Sequence, residues 1–146
     1  MIKAHIKGME SYLPEKVLDN QMLANQYPEW SVEKIEAKTG ISKRHIIADN
    51  ETISDMATHS AENLFESCKI EKNEIDYILL CTQSPDYLLP TTACIVQDKL
   101  GLSTSCGALD FNLGCSGYIY GLSMAKGLIE SNPVSYTHLT LPTTPY

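Results

Sequence analysis

The residues best placed to do chemistry lie together in Asp110-Phe111-Asn112-Leu113-Gly114-Cys115-Ser116-Gly117-Tyr118, where one thiol falls among small residues. Ala108 to Asn112 reads as a short apolar strand. Ile119, Leu122, Ala125, Lys126, Leu128 and Ile129 then recur at helical spacing, so a strand-to-helix turn is expected at Gly114 to Gly117. A thiol in that turn sits at a helix start. Unpaired backbone N–H groups and the positive end of the helix dipole there favour a thiolate, and they can also donate to the oxyanion of a bound carbonyl. Gly114 and Gly117 remove side chains that would block the approach. The same local pattern equally describes a buried, structural cysteine packed among small neighbours, which is the commoner arrangement. From these residues alone both readings stand.

The elements that must hold this turn can be read along the chain. Ile75-Asp76-Tyr77-Ile78-Leu79-Leu80-Cys81 is the strongest strand, and its nearly continuous apolar run suits a central position covered on both faces. Before it, a helix from Ser54 carries the stripe Met56, Ala57, Ser60, Ala61, Leu64, Phe65 and Cys68, which places Cys68 in the core. After it, Thr82 to Leu89 reads as a loop containing Pro85. Thr91 or Thr92 is then expected to cap a helix that runs through Ala93, Cys94 and Val96 to Leu100 and closes at Gly101. At the N-terminus Ile2, His5 and Ile6 suggest a first strand paired inside the sheet. Asn20 is expected to cap a short helix ended by Pro28, Ser31 a second one stopped by Gly40, and Arg44 to Ile47 reads as extended. Those two helices look like a decoration between strands. The alternation of strands and helices predicts an α/β fold with a parallel or mixed sheet flanked by helices.

Composition narrows the function. The chain has 146 residues and a formal net charge of -7, which argues against nucleic acid as a partner, because phosphate binding needs a basic face. One local basic cluster exists, formed by Lys34, Lys38, Lys43 and Arg44. The five cysteines, Cys68, Cys81, Cys94, Cys106 and Cys115, are an odd number without a C-x-x-C pair, so neither a disulfide framework nor a zinc site is expected, and no metal is assigned. Met1-Ile2-Lys3-Ala4-His5 does not read as a secretory start, and no apolar run approaches a membrane span; a cytoplasmic protein without a membrane partner is expected.

The run Asn112-Leu113-Gly114-Cys115-Ser116-Gly117-Tyr118 resembles the nucleophile turn of the thiolase-like condensing enzymes, specifically the 3-oxoacyl-[acyl-carrier-protein] synthase III family. Further stretches resemble the same family in the same order. They are Gly8 with Tyr12-Leu13-Pro14-Glu15 and Asn20; Lys38-Thr39-Gly40-Ile41 with Arg44; Thr82 through Pro85-Asp86 to Leu89-Pro90-Thr91-Thr92-Ala93; and Leu100-Gly101. Each is short, and the specificity lies in the combination.

The resemblance implies that residues 1–132 are the N-terminal, incomplete part of a thiolase-like fold. It implies that Cys115 takes an acyl group from an acyl-CoA or acyl-carrier-protein thioester, and that decarboxylative Claisen condensation with malonyl-[acyl-carrier protein] follows. Lys38 and Arg44 match the segment that lines the entrance for coenzyme A or the phosphopantetheine arm, and Leu89 falls near the subunit interface and the acyl pocket. No cofactor is implied beyond the phosphopantetheine carried by the substrates. Acyl carrier protein is the implied partner, and the full-length parent is implied to be a homodimer. The chain also departs from the pattern. The classical enzymes have Trp four positions before the basic residue of the T-G-I motif, where this chain has Lys34, and Trp30 lies further upstream. The family's His and Asn donors lie downstream of the nucleophile with no matching positions here; His5, His45 and His59 read as surface or packing residues. The Thr- and Pro-rich run 133–146 departs as well and is read as an artefactual or disordered tail foreign to the family, with His138 given no role. The chain is therefore expected not to complete condensation by itself. The alternatives are a noncatalytic thiolase-like fragment or binding module, or another condensing enzyme of the superfamily, polyketide-type or hydroxymethylglutaryl-CoA synthase-like.

Overall fold

A computed structural model describes residues 3–131 and the backbone of 137–140. Two compact units are present: Leu13–Glu51 forms one, and the described residues before and after it form the other.

The larger unit is built on β3, Tyr77–Cys81, as its sequence requires. Ile78, Leu79 and Leu80 are fully buried, because helices and neighbouring strands cover both faces. Strand β4, Gly107–Phe111, lies parallel to β3 in the register Tyr77↔Gly107 to Cys81↔Phe111. The backbone of Thr137–Thr140 forms β5, parallel to β3 on its other edge, so the sheet order is β4-β3-β5. Most of the expected tail, 133–146, lies outside the described residues. Helix α3, Ile53–Cys68, starts at a capping box in which Thr52 and Asp55 satisfy each other's backbone N–H. Its Ala57, Ala61 and Phe65 pack with Ile78, Leu80, Val96 and Leu100. The larger of these buried side chains, Phe65, Ile78, Leu80, Val96 and Leu100, each contribute about 1.5–3 kcal/mol by leaving water. Helix α4, Thr92–Lys99, connects β3 to β4, and α5, Gly117–Glu130, follows β4. Among the described residues no helix is long and apolar enough to cross a membrane.

Two expectations for this unit are corrected. Residues 3–12 form no strand. Both edges of β3 are taken by β4 and β5, and the N-terminal segment instead lies along α3: the carbonyls of Glu10 and Ser11 accept from Ser60 Oγ and Asn63 Nδ2, and Gly8 packs on Leu64 and Cys68. In α5, Gly117 and Gly121 are buried and Leu122, Ala125, Leu128 and Ile129 of the expected stripe are half-buried, but Ile119, at 62% exposed, lies off that face.

The smaller unit contains the two helices expected as a decoration, although residues 3–12 before it form no strand. Strands β1, Val17–Asp19, and β2, Lys43–His45, pair antiparallel with Leu18 opposite Arg44. Helix α1, Asn20–Gln26, is capped by Asp19, whose carboxylate accepts from Met22 N at 2.8 Å. Asn20 is thus the first helical residue and not the cap. Its side chain is buried, and it bridges two partners, donating to Ile41 O at 2.8 Å and accepting from Arg44 Nη1 at 2.9 Å. Helix α2, Val32–Thr39, starts at Ser31 and ends at Gly40, whose φ of 68° is a left-handed conformation that glycine adopts without strain.

Candidate functional site

Cys115 sits in the turn Gly114–Ser116, between the end of β4 and the first residue of α5. The thiol is free and exposed. Ser116 occupies the cap position without a side-chain cap bond, and Gly117 N donates to Gly114 O at 2.8 Å, closing the turn. That N–H is therefore committed to the turn and unavailable to an oxyanion. The helix start nonetheless lies two residues from the thiol, where its dipole favours negative charge.

The turn rests on the end of β3. Thr82 N donates to Phe111 O at 3.1 Å, and the buried Cys81 thiol donates to Leu113 O at 3.4 Å. Gly117 closes on the same thiol, since a Cβ at that position would lie 2.3 Å from Cys81 Sγ. Gly114, by contrast, has ordinary space around it: a Cβ there would come no nearer than 3.9 Å to Gln83. Of the two glycines only Gly117 is sterically required, and what it admits is Cys81 rather than a substrate. Burial pushes the Cys81 thiol up, against a smaller lowering by the Leu113 carbonyl contact, so Cys81 stays a protonated donor.

A chain of polar contacts ties the neighbouring loop to β4. The Asp110 carboxylate accepts from Thr92 N and Ala93 N, each at 2.7 Å, and so caps α4 from the adjacent strand. Thr91 holds the cap position but makes no side-chain cap bond, which corrects the expectation of a threonine cap. Thr92 Oγ1 accepts from Asp86 N at 3.1 Å, and Asp86 in turn accepts weakly from Ser54 N in α3. Between Asp86 and α4, Leu89 is 82% exposed and Leu88 93%, and the Leu89–Pro90 peptide is cis. Leu89 therefore lies on the surface of this unit.

In the smaller unit, Lys38 is exposed on α2, and its ammonium lies 5.1 Å from the centre of the Trp30 ring; the Lys34 ammonium lies 4.5 Å from it. Trp30 thus gathers two cations on its π system. Arg44 is partly buried, and its Nη1 is bound to Asn20. The structure brings Lys38 and Lys34 together through Trp30 and brings Arg44 to Asn20. His45 Nδ1 lies 2.6 Å from Pro14 O, and His59 packs on the Tyr12 ring and lies 3.6 Å from Glu62, both structural settings.

Sequence reasoning missed Cys81 and Asp110. The signal for Cys81 was faint: a thiol ending the central strand and a glycine two residues past Cys115. Asp110 lies 18 positions from Thr92, beyond any local capping rule.

Comparison with known proteins gives the following. No protein-family model matches the chain. The beta-ketoacyl-[acyl-carrier-protein] synthase III of Xanthomonas campestris pv. campestris (strain 8004) is 42% identical over 130 residues, which are 89% of this chain and 39% of that protein. The protein of the same name from Nitratidesulfovibrio vulgaris (strain DSM 19637 / Miyazaki F) is 40% identical over 139 residues, 95% of this chain and 42% of that protein. Among solved structures, a 3-oxoacyl-(acyl-carrier-protein) synthase III superposes with a TM-score of 0.90 at 50% identity, over 95% of this chain and 41% of that one. The 3-oxoacyl-[acyl-carrier-protein] synthase III of Aquifex aeolicus VF5 gives 0.87 at 35% identity, over 97% and 44%. The chain spans about two fifths of the length of the curated relatives it matches.

Proposed function

The chain belongs to the 3-oxoacyl-[acyl-carrier-protein] synthase III family, and from that premise we propose that Cys115 is an acyl-accepting nucleophile. The observation that supports this most directly is the placement of an exposed thiol on a strand-to-helix turn at the start of a 14-residue helix. In the proposed step, the Cys115 thiolate forms a bond to the carbonyl carbon of an acyl thioester. The carrier's sulfur leaves with the electron pair of the broken C–S bond and takes up a proton. A thiolate suits the step because it attacks carbonyls readily and is itself a good leaving group, so the acyl-enzyme stays reactive toward carbon.

The condensation that would follow joins the acyl carbon to the carbanion formed when a malonyl thioester loses carbon dioxide, and the C–S bond to Cys115 breaks to return the thiolate. It needs donors for the enolate oxygen. His45 and His59 are held in structural contacts, and we infer that this chain by itself stops at the acyl-enzyme. Coenzyme A and acyl carrier protein, whose phosphopantetheine arm carries the thioester, are the proposed donors, with no separate cofactor. Lys38, with Lys34 beside it on Trp30, supplies positive charge for a phosphate. Arg44 retains donors beyond the Nη1 that Asn20 occupies. Leu89 on its exposed loop is proposed to contact the acyl chain or a second subunit of a homodimer. The reaction belongs to the cytoplasm, where thiols stay reduced.

The test is to give the purified chain an acyl-CoA and malonyl thioester and to analyse both protein and products. Acylated Cys115 without 3-oxoacyl product is expected. A 3-oxoacyl product would overturn the inference that donors are lacking, and no acylation at all would favour a noncatalytic binding module.

A further inference from the structure

We infer that Cys81 is a positioning residue for Cys115: its buried thiol holds the turn on both sides of the nucleophile, and its fit against Gly117 fixes where Cys115 is presented. The inference rests on the reading of Cys115 as the nucleophile. Two independent contacts carry it. The first precedes Cys115 by two residues, where Cys81 Sγ donates to Leu113 O at 3.4 Å. The second follows Cys115 by two residues, where Gly117 leaves only 2.3 Å between Cys81 Sγ and the place a Cβ would occupy. Cys81 itself is anchored. It is the last residue of the central strand, pairs in register with Phe111, and is 5% exposed. The next residue, Thr82, donates to Phe111 O and fixes the other end of the same connection.

A short side chain with a single torsion cannot swing away from Gly117 as a long one would, because interiors are close-packed. The approach of β3 to α5 at this point is therefore limited first by one sulfur atom, with Leu113 Cβ next at 3.3 Å from the place of the missing methyl. Cys115 lies midway along the five residues spanned by the two contacts. A change at Cys81 or Gly117 moves the turn that carries the thiol without touching the thiol.

The experiment is a double-mutant cycle read at Cys115. Wild type, Cys81→Ala, Gly117→Ala and the double variant are treated with iodoacetamide under native conditions, and the rate at Cys115 is followed by peptide mass spectrometry. Cys81→Ser serves as the conservative variant, since its hydroxyl keeps a donor for Leu113 O. Gly117→Ala is expected to slow Cys115 several-fold, because a Cβ 2.3 Å from Cys81 Sγ forces the turn that presents the thiol to shift. The double variant is expected to recover to within about threefold of wild type, since removing the sulfur makes room for the new methyl. Cys81→Ser is expected to match wild type and Cys81→Ala to fall below it. Equal rates in all variants, purely additive effects in the cycle, or a serine variant no better than alanine would each overturn the inference. Acylation by acyl-CoA is measured alongside in the wild type. Its absence would refute the nucleophile reading, while the alkylation cycle would still decide the role of Cys81.

Discussion

Replacing Asp110 tests how β4, the strand that leads to Cys115, is joined to its surroundings. The Asp110 carboxylate accepts two backbone N–H groups of α4 at 2.7 Å each, and the residues that own those groups, Thr92 and Ala93, are fully buried. Asp110→Ala leaves both donors without that acceptor in a place water does not readily reach. A buried donor stripped of its partner costs about 1–3 kcal/mol, and loss of a helix cap costs about 1 kcal/mol; these overlap, so about 3 kcal/mol is expected for the alanine variant. Asp110→Asn keeps one acceptor oxygen but turns an amide toward the second N–H and loses the charge, for about 1.5 kcal/mol. Thr91→Ala, at the nominal cap position that makes no cap bond, is expected to change stability by less than about 0.5 kcal/mol. Urea unfolding followed by circular dichroism measures all three, with the midpoint shifting and the slope unchanged. If Thr91→Ala proved as damaging as Asp110→Ala, or if Asp110→Asn were indistinguishable from wild type, the assignment of the α4 cap to β4 would be wrong.

Three further outcomes follow from particular contacts. Partial burial opposes ionisation of Asp55, but hydrogen bonds from Lys99 and Thr52 outweigh it and hold the carboxyl down at about 2 from an ordinary 3.8. The folded pKa is the depressed one, so this contribution is present above about pH 4 and is lost as pH falls toward 2. With the side chain 32% exposed, solvent screening reduces it to about 1 kcal/mol, and Asp55→Asn should flatten the acid limb of stability against pH by that amount. Asn20→Ala removes the bridge between Ile41 O and Arg44 and should cost about 2 kcal/mol in chemical denaturation; a loss under 0.5 kcal/mol would show the bridge to be unimportant. Lys69 ends α3 in a left-handed conformation, φ 51°, so Lys69→Gly should raise stability by about 0.5–1 kcal/mol in the same assay.

The parts of the fold that were legible in the sequence are those whose signal is local and periodic. Ile75 to Cys81 announced β3 because a strand covered on both faces must be apolar throughout, and the stripe Met56 to Cys68 announced α3 because one face of a helix must be buried. The turn at Cys115 was legible for the same reason, as a change of period. Partners distant in sequence were not legible. Asp19 and Asn20 are adjacent and equally good caps, and the choice is made by Ile41 O and Arg44, which occupy the Asn20 side chain. Ile119 fits a helical stripe, yet it is exposed while Gly117 faces inward, where Cys81 leaves no room for a side chain. The N-terminal residues have strand-like composition, but both edges of β3 are already paired, with β4 and β5. The strand-to-helix turn that carries Cys115 was legible, whereas Cys81, which underlies that turn, became visible only when β3 and α5 were seen together.

The most direct test of the central claim is to map the acyl mark itself. The chain is incubated with an acyl-CoA, digested under conditions that spare thioesters, and each of the five cysteine peptides is weighed. A single acyl group on Cys115, absent from Cys115→Ala, is the predicted result. Acyl groups scattered over Cys68, Cys94 and Cys115 alike, or an unmodified Cys115 that iodoacetamide still reaches, would contradict it.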